Sequence, residues 1–341
     1  MVYIYPVVEV KDFVYGHRYG WLSALLQSAQ GFMLRPEKEL GSAFSARLTL
    51  RHHLQRRYGV RLDGGVIMMD HGIMSQSFAE VFRLAKTPKN IVRVYKTLDV
   101  DCGIAYDVPV RLCLQKKCGD PEVKRAKTAE ELSRLAVEVG ARRLREMAEE
   151  AKRAGFRGLV PVVQGLSRGD VEHSAEEAVR IMAELQDSFT AAIGTGGRSL
   201  SQEDVALIRY AVYAVEKYAA KHSAKVRIHM LGWSSPDRIR DVDLLQRIYS
   251  ADSLTPRRRA VEGKAYVIAN GRLKLVGARE LASYDCGCPA CTSHKEYVAD
   301  PSGRRRNDVR MAHNVYVLQK YLASAAARAS LYGWARHAAE T

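Results

Sequence analysis

The sequence predicts an α/β fold in which parallel strands alternate with helices and close into a (β/α)8 barrel. Three observations carry that expectation. From Thr128 to Asp252 amphipathic helical stretches alternate with short apolar runs of strand length, the pattern of parallel strands joined by helical crossovers. The chain has 341 residues, an ordinary length for one barrel, and 47% apolar residues supply a large core. Polar or glycine residues end the apolar runs in succession: Asp70, Asp107, Gln164, Gly194 to Gly197, Gly232 and Asp252. A doubly wound sheet would spread these strand ends along an open edge. A barrel gathers them into one mouth, where barrel enzymes do their chemistry.

The elements follow in order. "GVIMMD" (65–70), "NIVRVYK" (90–96) and "GIAYD" (103–107) read as the early strands. A long helix then opens on Thr128 and Glu131 at capping-box spacing, with Leu132, Leu135, Val139, Leu144, Met147 and Ala151 at helical intervals. The strand "GLVPVVQG" (158–165) follows it. The next helix reads from Ser174 and Glu177, with Ala178, Val179, Met182, Leu185 and Phe189 along one face, and leads to "AAIGTGG" (191–197). A third helix starts at "SQED" (201–204), its stripe formed by Val205, Ile208, Val212, Val215 and Ala219, and "KVRIHMLG" (225–232) is the strand after it. A short helix is expected at Ser235-Pro236, a cap with proline at the first helical position, before "RIYSADSLT". Four parts are expected: a divergent segment (1–60), the main barrel (61–260), a metal-binding subdomain with its closing helix (261–330) and a tail (331–341).

The formal charge is +15 and the pI about 9.6, which favours a polyanionic partner, nucleic acid before membrane. "TPRRRA" (255–260) and "SGRRRND" (302–308) concentrate arginine. The start "MVYIYPVVEV" lacks a basic lead and soon meets Lys11 and Asp12, so no signal peptide is expected. No apolar run approaches the ~18 residues of a spanning helix. The default compartment is the cytoplasm, where tightly spaced cysteines read as a metal site before a disulfide.

Three of the six cysteines form C-x-C-x-x-C at Cys286, Cys288 and Cys291, and His313 lies downstream on an apparent helix, "MAHNVYVLQKYL". Three thiolates and one imidazole make a closed tetrahedral zinc site of the structural type, one Zn2+ per chain. Such a site would pin the polar segment "HKEYVADPSGRRRND", which is too polar to fold alone. His294 is a rival ligand nearer in sequence; His313 is preferred because a helix can fix its ring. Cys102, Cys113 and Cys118 read as core or loop thiols, with a Cys113–Cys118 disulfide conceivable in a hyperthermophile.

This cysteine pattern, followed by His-Asn at the head of a helix, resembles the zinc subdomain of tRNA-guanine transglycosylases, and the histidine spacing is closer to their archaeal branch. "PVVQG" is similar to that family's base-reading glutamine strand, "HMLGWSSPD" to its glycine-then-helix turn, and "ADSLTPRRRA" to the stretch that carries its catalytic aspartate. The resemblance spans roughly residues 60–330. It implies a zinc-containing (β/α)8 barrel, a pentosyltransferase that exchanges a guanine in tRNA for a 7-deazaguanine. On that resemblance Asp252 is the nucleophile and Asp70 the general acid/base. Asp107, Gln164, Gly194, Thr195, Gly196 and His71 line the base pocket, and Arg257, Arg258 and Arg259 grip phosphates. The family's Asp-Ser-Gly-Gly is here Asp70-His71-Gly72-Ile73, which puts a histidine where a serine touches the base. The family also implies a homodimer through the zinc region, and leaves RNA-binding modules absent or on a separate subunit. The alternatives are the same exchange on DNA and a non-catalytic nucleic-acid-binding subunit.

The chemistry suits these residue types without the family. Breaking a base–sugar bond builds positive charge on the sugar, which a carboxylate can trap, while a second carboxyl manages the proton of the leaving base. An aspartate paired with a glutamine offers acceptors to the N1–H and amino group of guanine and a donor to its carbonyl.

Overall fold

A computed structural model of the chain describes residues 3–18, 20–35, 37–70, 77–115, 120–194, 201–233, 242–300 and 307–340. The chain begins β1 (Tyr3–Val8), α1 (Val10–Arg18), α2 (Leu22–Ser28), β2 (Gly31–Leu34), α3 (Lys38–Ser45), α4 (Leu50–Tyr58) and β3 (Val66–Met69). It continues with α5 (Ser77–Phe82), α6 (Pro88–Leu98), β4 (Cys102–Ile104), α7 (Val110–Leu114), α8 (Ala129–Ala154), β5 (Leu159–Val160) and β6 (Val162–Val163). Then come α9 (Arg168–Leu185), β7 (Ser188–Gly194), α10 (Gln202–Lys221), β8 (Lys225–Leu231), α11 (Val242–Arg247) and β9 (Ile248–Ser253). The last elements are α12 (Thr255–Val261), β10 (Lys264–Ala269), β11 (Arg272–Gly277), α13 (Pro289–Ala299) and α14 (Asn307–Glu340).

The fold is α/β, and β1 to β9 form a barrel-like sheet. Two compact units make up the chain: Met1–Phe32 with Tyr58–Val66 and Trp233–Thr341, and Met33–Arg57 with Ile67–Gly232. In the second unit the strands pair in parallel and in chain order, with Met68 opposite Cys102 and Gly103 opposite Leu159. Farther along, Val162 lies opposite Ala192 and Ser188 opposite Lys225. β5 and β6 are one strand interrupted at Pro161, which has no amide hydrogen for a ladder but whose carbonyl accepts from the Ala192 amide at 2.8 Å. In the first unit β1 pairs in parallel with β9, placing Tyr5 opposite Asp252. A first strand laddered to the last parallel strand is the signature of a barrel and not of a doubly wound sheet. Ile4, Tyr5, Val7 and Val8 are all buried, as parallel strands covered on both faces require.

Two elements differ from the sequence expectation. "NIVRVYK" is not a strand but the body of α6. Thr87 caps it, accepting from the Asn90 amide, Pro88 starts it, and Asp99 ends it in the left-handed conformation at φ 54°. Ile91, Tyr95 and Leu98 share its buried face, a helical spacing that outweighs the β-branched composition. The helix expected from Ser174 begins earlier, where Ser167 and Asp170 form a full capping box for α9, and it ends at Leu185, so Phe189, expected on its apolar face, is a residue of β7. Ser174 sits inside α9, and its hydroxyl accepts from the Gln164 amide at 3.2 Å. The expected caps of α8 and α10, Thr128 and Ser201, are in place. The expected helix start at Ser235-Pro236 lies outside the described residues.

The carboxyl-terminal part of the first unit adds an antiparallel hairpin, β10–β11, turned by Asn270 and Gly271 at φ 53° and 70°. Positive φ at both turn residues is the geometry that suits an Asn-Gly hairpin. No helix among the described residues is long and apolar enough to cross a membrane.

Candidate metal centre and strand-end site

Cys288 caps α13, with Pro289 at its first position, so the helix start holds Cys288 and Cys291 close together and the Cys291 amide donates to the Cys288 sulfur at 3.1 Å. His313 arrives from α14. Its Nδ1 lies 3.5 Å from the Cys286 sulfur and 3.3 Å from those of Cys288 and Cys291, and all four donor atoms fall within 4.8 Å of one another. Zn–S of about 2.3 Å and Zn–N of about 2.0–2.1 Å at tetrahedral angles put sulfur and nitrogen roughly 3.5 Å apart. The donor set therefore fits one metal ion of that size. The other ring nitrogen of His313 lies 2.8 Å from the Tyr266 carbonyl, which fixes the ring and directs Nδ1 at the sulfurs. Asn314 completes the support: its carbonyl oxygen accepts from the Tyr266 amide, and its amide nitrogen donates to the Pro256 and Lys264 carbonyls.

Crowding shapes the thiols. Hydrogen bonds with Cys288 and Cys291 hold the Cys286 thiol far below its ordinary range, and those with Cys286 and Cys288 drive the Cys291 thiol far above it. A bound cation would favour the thiolate form of all three sulfurs. His294, the rival ligand, sits instead against the Gly20 carbonyl at 3.2 Å. Beneath the cluster, Arg310 is fully buried and donates to the carbonyls of Val298, Ala260 and Asp300 and to the Asn307 side chain, tying α12, α13 and α14 together.

The candidate catalytic residues divide between the units. In the first, Asp252 is 8% exposed near the carboxyl end of β9, and its carbonyl accepts from the Trp233 amide at 3.0 Å. In the second, Asp70 follows β3, Asp107 follows β4, Gln164 follows β6, and Gly194 ends β7. Gln164 is pinned: Nε2 donates to the Val108 carbonyl at 2.6 Å and Oε1 accepts from the Val110 amide at 3.3 Å. Among the described residues one N–H and one lone pair of that amide stay without a partner, now held in a fixed orientation beside the turn that carries Asp107. His71, Thr195 and Gly196 lie outside the described residues.

Lys86 and Tyr95 belong to the same group, and no sequence motif marks either. Lys86, in the turn before α6, is half-buried. Burial pulls its ammonium down to about 8, against the opposing pull of the Asp70 and Asp107 carboxylates. Tyr95 is fully buried, donates to the Ile104 carbonyl at 2.8 Å, and feels the same two carboxylates. Gly103 is glycine because a Cβ there would stand 2.1 Å from the Tyr95 ring.

The arginine run separates into three environments. Arg257 forms a two-pronged pair with Asp12, at 2.9 and 3.3 Å, and Asp12 is 1% exposed. Arg259 pairs with Glu262 at 2.7 Å, and Arg258, the most exposed of the three, reaches the same carboxylate at 3.6 Å. Arg257 is thus engaged within the chain, while Arg258 is left largely at the surface.

Asp308, on the first turn of α14, lies in the field of this cluster. Burial pushes its carboxyl up to about 7, with the Asp12 charge adding and Arg257 opposing. The folded state therefore binds the extra proton between the unfolded value near 4 and pH 7, and stability falls as pH rises through that window. Asp308→Asn removes the penalty. It should raise unfolding free energy by about 4 kcal/mol above pH 7 and leave it unchanged below pH 4, read from urea melts across that range.

Cys113 is disulfide-bonded, while Cys118, the partner its spacing suggests, lies outside the described residues. Cys102 is a free thiol pushed up to about 12, chiefly by burial. No family model matches the chain, and no curated protein matches it.

Proposed function

We propose that the chain is a base-exchange glycosyltransferase that replaces a guanine in tRNA by a 7-deazaguanine, with zinc as the metal of the Cys286–Cys288–Cys291–His313 cluster. The observation that carries this reading is Asp252: a carboxylate buried near the carboxyl end of the strand that ladders to β1, in the fold whose strand ends host chemistry. In this reading the Asp252 carboxylate attacks C1′ of the nucleoside. The base–sugar bond breaks, and Asp70 delivers a proton to the departing guanine. The incoming base then attacks C1′ from the vacated side, returns its proton to Asp70 and frees Asp252, so configuration is retained. Gln164, held by Val108 and Val110, reads the base together with Asp107. The metal centre keeps the carboxyl-terminal part folded and takes no part in the exchange.

The test supplies labelled guanine with bulk tRNA and with genomic DNA in separate reactions. Label entering tRNA supports the reading; label entering DNA alone moves the substrate to DNA; label in neither removes the exchange activity. Lys86 adds a pH signature. Its ammonium stands in the field of Asp70 and Asp107 and deprotonates near pH 8, so exchange should fall as pH rises through about 8. Initial rates from pH 6 to 10 check this, and a rate flat to pH 10 removes Lys86 from the chemistry.

A further inference from the structure

We propose that Trp233 is a substrate-contact residue whose indole N–H is held for an acceptor atom on the nucleobase that Asp252 serves. The inference rests on the base-exchange reading and adds a recognition residue to it. The chain leaves β8 through Gly232, at φ 67°, a left-handed turn that suits glycine. The next residue, Trp233, is 2% exposed, and its backbone N–H is fixed by the Asp252 carbonyl. The indole therefore stands on the residue bonded directly to the candidate nucleophile's own carbonyl.

Its Nε1–H is buried and has no acceptor among the described residues. Buried indole N–H groups normally find a partner, and one left without carries a desolvation penalty that phenylalanine would avoid while filling much the same space. A tryptophan kept at this cost on a backbone hydrogen-bonded to that of Asp252 is accounted for by a ligand that supplies the missing acceptor. A purine base has the right character, with a flat face for the ring and carbonyl or ring-nitrogen acceptors around its rim. Trp21 also has an indole N–H without a partner among the described residues, but it stands at the start of α2, which contributes none of the candidate residues.

The test compares the full-length wild type with Trp233→Phe and with Trp233→His, which restores a ring N–H. Binding of guanine and of adenine is measured by titration calorimetry, and the thermal midpoint is measured for each protein. The expected result is a roughly 5- to 10-fold loss of affinity in Trp233→Phe for whichever base the wild type holds. Its midpoint should be no lower than that of the wild type, and Trp233→His should recover part of the affinity. Unchanged affinity, a loss accompanied by a fallen midpoint, or no base bound by the wild type each overturns the inference. If adenine is the base held and weakened, Trp233 keeps its role and the guanine reading falls. If labelled guanine is exchanged by Trp233→Phe with the wild-type KM, the guanine reading stands and Trp233 loses its role.

Discussion

Cys291→Ser should strip the chain of its metal and unfold the part of the first unit built on α13 and α14. The four donor atoms are spaced for one ion, and His313 is aligned by the Tyr266 carbonyl rather than by the metal itself. Removing one thiolate leaves an incomplete site whose remaining ligands still repel. Structural zinc contributes on the order of 10 kcal/mol in isolated zinc peptides. Here Arg310 and Asn314 also tie α14 to α12, α13 and β10, so the loss should be smaller, roughly 3–5 kcal/mol. Metal content after dialysis and calorimetric unfolding read the two effects separately. Cys102→Ser, at a buried free thiol outside the cluster, is the control. A Cys291→Ser protein that keeps one zinc per chain would show that the cluster is not the metal site.

Asp252→Asn should lower guanine exchange by at least ~10³-fold while leaving fold and metal content intact. The amide has nearly the volume of the carboxylate, so packing at this buried position is preserved, but it cannot form the covalent link to C1′. Asp70→Asn should slow exchange by about 10²–10⁴-fold, because proton transfer is impaired while the nucleophile remains. A trapping experiment without incoming base isolates the nucleophile: the wild type should carry nucleic acid through a denaturing gel, and Asp252→Asn should not. Exchange that survives Asp252→Asn within 10-fold would eliminate Asp252 as nucleophile.

The metal centre was legible because its chemistry is local in sequence. Three cysteines in six positions and a histidine on an amphipathic helix name their own ligand set, and the only open choice, His294 or His313, needed the fold. The parallel α/β pattern was legible for the same reason in α8 and α10, whose caps and apolar stripes are written within a few residues. α6 was misread because Ile91, Val92 and Val94 look like strand residues, while the decisive signal was the Thr87-Pro88 cap before them. The β10–β11 hairpin was missed although Asn270-Gly271 announces it. Other features had no local trace. Arg257 finds Asp12 across 245 positions, and Lys86 acquires its altered titration only when folding buries it near Asp70 and Asp107.

The β1–β9 ladder has a consequence for how the protein is made. Tyr5 waits for a partner, Asp252, that is synthesised about 250 positions later. At bacterial-like elongation of ~5–20 residues per second, that interval is roughly 12–50 s. For all of it, β1 is an apolar edge with no strand from the closing side, the kind of surface that pairs with the wrong chain. Closing so long a loop also makes this ladder a late event in refolding. Asp252 is therefore among the last groups to reach its setting, and on the base-exchange reading a nascent or truncated chain lacks its reactive carboxylate until β1 and β9 have paired.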